Sequence, residues 1–186
     1  MRLYDDRAQR LYINTEERAR FIAAAQTESP QQRAFALTLL HTGCRLSEAR
    51  ALTPASLQLD ARLISIRSLK KRAIHHMREV PIPDELVTVL GALTNTPDCP
   101  LWHIRGAPVP RVTAYRWVKS VMATADITGA QACPKGLRHG YGIHAIKCGV
   151  PLNMLQKWLG HASMSTTAIY TNALGADELA IAERMW

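Results

Sequence analysis

Three short segments concentrate residues able to act on a phosphate. The first is His41-Thr-Gly-Cys-Arg45-Leu-Ser-Glu48 and the second is Lys135-Gly-Leu-Arg138-His139. The third is Leu159-Gly-His161, followed nine residues later by Tyr170 in Thr166-Thr-Ala-Ile-Tyr170-Thr. Arginine carries a permanent charge on a planar fork, which suits two oxygens on one phosphorus. Arg45 follows a glycine at a helix start, and Arg138 lies in a stretch without acids, so neither has an obvious acidic neighbour. A phenol titrates near pH 10 and needs cationic neighbours to lose its proton at neutral pH. A further run of cations, Arg67-Ser-Leu-Lys70-Lys71-Arg72, falls between the first and second segments.

Taken in order, T-G-x-R-x-S-E, x-L-R-H, L-G-H and T-x-x-Y-T resemble the catalytic domain of the tyrosine recombinases, the phage integrase family. The resemblance covers about residues 12–175. It implies a site-specific DNA recombinase in which Tyr170 attacks phosphorus. A 3′-phosphotyrosine forms and a 5′-hydroxyl leaves. The ester keeps the bond energy, so strands rejoin without ATP, metal or any other cofactor. By the same resemblance Arg45 and Arg138 clamp the non-bridging oxygens, and His161 donates a hydrogen bond to that phosphate. Lys70 protonates the leaving oxygen, with Lys71 as its rival because the register of the hairpin is not readable. Lys135 departs from the pattern, since the family most often has histidine there, with lysine a known alternative. It acts either as a base towards Tyr170 or, the favoured reading, as a charge that stabilises phosphate and tyrosinate. Glu48 is a candidate to pair with an active-site arginine, and His139 to stack or to donate to backbone. Lys71, Arg72, His75 and His76 are candidates for DNA contact. His75 and His76 lack a third ligand at a suitable spacing, so they are not read as a metal site.

The charge distribution fits an acidic partner. The chain of 186 residues carries a formal charge of +8, a recognised footprint of nucleic-acid binding. Residues 61–78 hold six Lys or Arg and no acid, and residues 127–176 hold four and no acid. These two windows therefore carry +10, and the remainder is net negative. Such acid-poor windows argue against a nuclease whose carboxylates hold Mg²⁺. No apolar run approaches the ~20 residues of a membrane helix, and the charged start MRLYDDRAQR lacks the apolar core of a secretory signal. Cys44, Cys99, Cys133 and Cys148 show no C-x-x-C spacing. The expectation is a soluble, reduced, cytoplasmic protein, nucleoid-associated when on DNA.

The elements that must position these groups are mostly helical. Asn14 and Glu17 make a capping box for a helix to about Ala25. Further helices are expected over Gln31–His41, Ser47–Leu52, from Asp84 to about Leu93, and from Pro110 to about Ala125. Others follow over Gly136–Cys148, from Pro151 to Leu159, from Ser163 or Ser165 to Tyr170, and from Asp177 to about Met185. Residues 63–66 and 79–82 read as strands joined by the basic stretch, with Pro81 and Pro83 marking the second as an edge. Residues 94–109 read as loop, and Trp102, Trp117 and Trp158 as core anchors. The fold class is mainly α with a small antiparallel β-sheet (α+β), the catalytic-domain fold of the family. One domain covers residues 1–186.

About ten residues precede the matching region, so no N-terminal core-binding domain is expected. The chain thereby resembles the short, catalytic-domain-only members such as fimbrial-type phase-variation recombinases. The partners implied are double-stranded DNA, further copies of the chain in a tetramer, and an accessory DNA-bending protein. The amphipathic tail, residues 176–186, is read as docking on a neighbouring protomer through Leu179, Ile181 and Met185, or as folding back on its own core. Two other readings stay open: a catalytically impaired DNA-binding module, and a type IB topoisomerase-like enzyme that swivels a strand.

Overall fold

The computed structural model describes residues 2–68, 77–93, 100–172 and 175–185. Helix α1 (Thr15–Ala25) starts where the sequence places it. The Asn14 side chain accepts from the Glu17 amide at 2.8 Å, and the Glu17 carboxylate accepts from the Asn14 amide at 2.9 Å. Helix α2 (Pro30–Thr42) is buried along the whole run from Ala34 to Leu40. It is the interior helix, packed by α1 and by the later helices α4 (Asp84–Gly91), α5 (Arg111–Thr124) and α6 (Pro134–Lys147). A helix apolar on every side has no solvent face to offer. Gly43 ends α2 at φ +59°, where a Cβ would come within 2.5 Å of the Tyr141 ring. That turn delivers Arg45 to the start of α3 (Leu46–Arg50).

A three-stranded antiparallel sheet follows, in the order β1 (Leu57–Gln58), β2 (Leu63–Arg67) and β3 (Met77–Pro81). Strand β3 is the edge, as its prolines require. Ile64 pairs with Val80 and Ile66 with Arg78, and all four are buried. Strand β1 was not expected from the sequence. Nor was the small hairpin of β4 (His103–Ile104) and β5 (Ala107–Pro108), which lies within the stretch read as loop. Trp102 is buried, donates from Nε1 to the Ala49 carbonyl at 2.6 Å, and packs edge-on against Phe35.

The C-terminal third completes the site. Helix α7 (Leu152–Leu159) stops at Gly160, whose φ is +67°. Helix α8 (Met164–Ala168) is capped by Ser163, which accepts from the Ser165 amide. It gives way to a 3-10 turn, Ile169–Asn172, so Tyr170 sits in that turn rather than at the end of the expected α-helix. Tyr170 belongs to a second, smaller apolar cluster with Tyr12, Tyr141, Leu155 and Leu159. Helix α9 (Ala176–Ala182) packs on α6 of the same chain. Asp177 accepts from the Tyr12 hydroxyl at 2.7 Å and from Lys147 Nζ at 3.1 Å. Arg184 donates to the carbonyls of Ile146 and Lys147. Ile181 packs inward, whereas Leu179 and Met185 are exposed. Among the described residues no helix is long and apolar enough to cross a membrane.

Candidate active site

Arg45, Arg138 and His161 meet at the wall of an open cavity of about 620 Å³, which Lys135, Arg111 and Cys133 also line. A neighbouring cavity of about 480 Å³ shares Arg45 and His161 and extends to Ser68, Gln156 and Lys157. The two together form a groove with the arginine and the histidine at its middle. Groups more than 90 residues apart in sequence converge there because α2 carries α3 and α6 on its flanks.

The two arginines are held differently. Arg138, on the first turns of α6, is buried and donates to the carbonyls of Gly43 at 2.7 Å and Leu159 at 2.9 Å. Those bonds tie it to the end of α2 and the end of α7, and leave it further N–H groups for a substrate. Burial, then the charge of Arg45, lowers it to about 10, so it stays protonated at neutral pH. Arg45 is more exposed, and Glu48, the candidate partner for an active-site arginine, pairs with it. Its Nη1 donates to Glu48 Oε1 at 2.8 Å, and its amide donates to Glu48 Oε2 at 2.9 Å. Glu48 is buried, and burial alone would raise its carboxyl. Arg78 and Arg45 overcome that and hold it below the ordinary carboxylate range.

His161 follows the left-handed turn at Gly160. Its Nδ1 lies 2.8 Å from the Thr167 hydroxyl, and its buried Nε2 has no partner among the described residues. When Thr167 donates, the proton of the neutral ring sits on Nε2. Burial, then Arg138 and Arg45, lowers His161 to about 3, so the ring is neutral at physiological pH. The Tyr170 ring stacks on it, with centroids 6.3 Å apart and planes at 12°.

Tyr170 itself is fully buried. A Cβ at residue 142 would stand 2.5 Å from its ring, so Gly142 makes the space it occupies. Burial raises the phenol to about 12, against the opposing pull of Arg138 and Arg45. Its hydroxyl lies 3.4 Å from Nδ1 of His139. His139 is therefore turned to the tyrosine rather than to backbone, and burial, then Lys135 and Arg138, lowers it to about 4. Lys135 lies on the first turn of α6, at the cavity.

Lys70, Lys71, Arg72, His75 and His76 lie outside the described residues. Ser68, the last described residue before them, lines the smaller cavity. Two buried residues escaped the sequence reading. Thr167 stands behind His161, and Arg78 pairs with Glu48. Arg78 was counted only as part of a basic window. Its signal was the period of two that puts it on the same face as Val80. Among the described residues, no group of three His, Cys, Asp or Glu could hold a metal ion.

Known proteins resemble this chain in sequence and in fold. A tyrosine recombinase of Thermosipho africanus is 28% identical over 162 residues, covering 86% of this chain and 56% of that protein. The chain spans about half the length of the curated relatives it matches. The crystal structure of XerA recombinase superposes with a TM-score of 0.81 at 26% identity, over 94% of this chain and 64% of that one. XerH site-specific recombinase, in a pre-cleavage complex with its difH substrate, superposes with a TM-score of 0.76 at 20% identity. That match covers 98% of this chain and 59% of the other, and shows the shared fold. The model of the phage integrase family matches residues 2–176, a span that contains the segments meeting at the cavity, and the chain belongs to the phage integrase family.

Proposed function

We propose that this chain is a site-specific recombinase that cuts and rejoins DNA strands through a covalent 3′-phosphotyrosine at Tyr170. The observation that carries the reading is the convergence of Arg45, Arg138 and His161 on one groove, with Tyr170 stacked behind His161. A scissile phosphate in the groove meets two guanidinium forks for its non-bridging oxygens, and the buried Nε2 of the neutral His161 ring joins them once it is uncovered. Negative charge grows on those oxygens as the phosphorus becomes five-coordinate, and fixed donors aimed there favour the transition state over the ground state. The phenolate oxygen of Tyr170 forms the new P–O bond, and the 5′-oxygen leaves and takes a proton.

A fully buried phenol cannot touch a substrate, so the ring must shift for the attack to occur. At about 12 it is also protonated at neutral pH. His139, at about 4, is too weak a base to take that proton. The phenol proton must therefore pass to solvent as the ring shifts, with the cations favouring the tyrosinate, and Lys135 fits that role as a charge rather than as a base. Lys70 is proposed as the general acid, with Lys71 as the alternative. A 5′-phosphorothiolate leaving group needs no proton, so it should rescue whichever lysine-to-alanine variant has lost the acid.

Double-stranded DNA is the proposed partner, supported by the basic windows and by the fold shared with XerH on its DNA. A tetramer on DNA is proposed, with residues 176–186 leaving their own α6 to dock on a neighbour. Deleting that tail should then impair recombination more than binding to a single site. The relatives named above are a tyrosine recombinase and two Xer recombinases, and the narrower fimbrial resemblance has no support from them. The test of the function is a nicked suicide duplex. The parent chain should form a covalent adduct, and recombinant joints between two labelled duplexes would separate strand exchange from strand swivelling.

A further inference from the structure

Arg78 plays no part in the chemistry above, yet its side chain has no exposed surface. Its guanidinium is bonded on every nitrogen. Nη2 donates to Glu48 Oε2 at 2.7 Å, Nε to the Trp158 carbonyl at 2.7 Å, and Nη1 to the Ser68 hydroxyl at 3.1 Å. It also lies against the turn after α7, where a Cβ at Gly160 would come within 3.0 Å of it. A buried ion pair contributes little net stability, and apolar residues of similar volume often serve a core as well. Packing alone therefore does not call for an arginine here.

What the arginine joins is more telling. Glu48 holds the side chain and the amide of Arg45. Trp158 stands three residues before His161, and Ser68 two residues before Lys70. One planar group thus fixes β3 to the start of α3, the end of β2 and the end of α7. We propose that Arg78 is a positioning residue for strand cleavage. It aims Arg45 through Glu48 and sets the turn that presents His161, so the phosphate clamp is formed before DNA arrives. The proposal rests on the reading that Tyr170 cleaves DNA at this groove.

The experiment measures single-turnover adduct formation on the nicked duplex by the full chain, with binding affinity measured separately. Arg78→Met should retain helical content and DNA affinity but form adduct about 100-fold more slowly, as misplacement near 1 Å does. On a duplex with a methylphosphonate at the scissile position, a methyl group replaces one non-bridging oxygen and removes the negative charge, so the demand on Arg45 falls. There the defect of Arg78→Met should shrink by at least about tenfold, as should that of Arg45→Ala. In an Arg45→Ala background, Arg78→Met should cost less than it does in the parent, leaving only the part that acts through the turn before His161. Arg78→Lys keeps the charge without the fork, and the same comparisons are read on it if Arg78→Met does not fold.

A parent-like rate would overturn the proposal, as would an equal defect on both duplexes or losses that simply add. If the parent chain forms adduct and the Arg78 variants match it, only the positioning role falls. If the parent forms none, the reading of the function falls and takes the positioning role with it.

Discussion

Arg45 and Arg138 face the same groove from two sides that are built on different principles. On the α3 side the cation is met by an anion: Glu48 takes Arg45, and Arg78 takes Glu48 from below. On the α6 side, the hydrogen bonds that hold Arg138 among the described residues go to carbonyls, with Lys135 and no acid nearby in sequence. An ion pair fixes geometry but cancels charge. Carbonyl dipoles fix geometry and leave the full positive charge available to a phosphate. The difference teaches a division of labour. On the proposed function, the α3 side would supply alignment, and the α6 side most of the field that acts on a phosphate and on Tyr170.

The division is open to breakage, first at the charge. Arg138→Ala should slow adduct formation by about 1,000-fold, and Arg138→Lys should restore little because the fork is lost. Arg45→Ala should cost about tenfold less, since Glu48 already offsets its charge. Equal losses in single-turnover assays would erase the distinction.

Stability should show the reverse order. Glu48→Gln leaves the buried Arg78 without its anion and should cost roughly 3–5 kcal/mol in a denaturant titration. Lys135→Gln should stay within about 0.5 kcal/mol. Its effect should appear instead as a salt dependence of DNA binding shallower by about one.

The histidines and Glu48 should also titrate over windows that start at different pH and overlap below the ordinary carboxylate range. His161 and His139 are lowered to about 3 and about 4, so the folded state holds fewer protons than the unfolded chain below pH 6.5. The stability they contribute is complete above about pH 6.5 and is lost as the pH falls towards those values. Glu48, also lowered, contributes stability that is present above the ordinary carboxylate range and is lost only as the pH falls below it. Unfolding free energy against pH should therefore fall in two limbs. His139→Gln should make the upper limb shallower without removing it, because His161, His41 and His144 are lowered by burial too, and it should leave the lower limb. A single limb, unmoved by that substitution, would contradict the separation.

Much of this was written in local chemistry. The Asn14–Glu17 cap, the glycine turns at Gly43 and Gly160, and the prolines of β3 all act within a few residues, so their signals survive in sequence. The motif residues were legible for the same reason. Strand β1 and the β4–β5 hairpin offer two residues each, too few for a period to register, and tertiary contact creates them. The burial of Arg78 was hidden because its partner lies thirty residues away, and a charged residue in a basic window looks solvated. The full burial of Tyr170 depends on the space at Gly142, which no spacing announces.

The groove, the arginines and the stacked histidine are assembled in this account for one act, the transfer of a DNA strand to Tyr170. The measurement is the covalent adduct on a nicked suicide duplex, comparing the parent chain with Tyr170→Phe. The parent should trap the strand as a 3′-phosphotyrosine, and the variant should bind the same duplex and trap none. Adduct persisting in Tyr170→Phe, or none in the parent while it binds the duplex, would contradict the account.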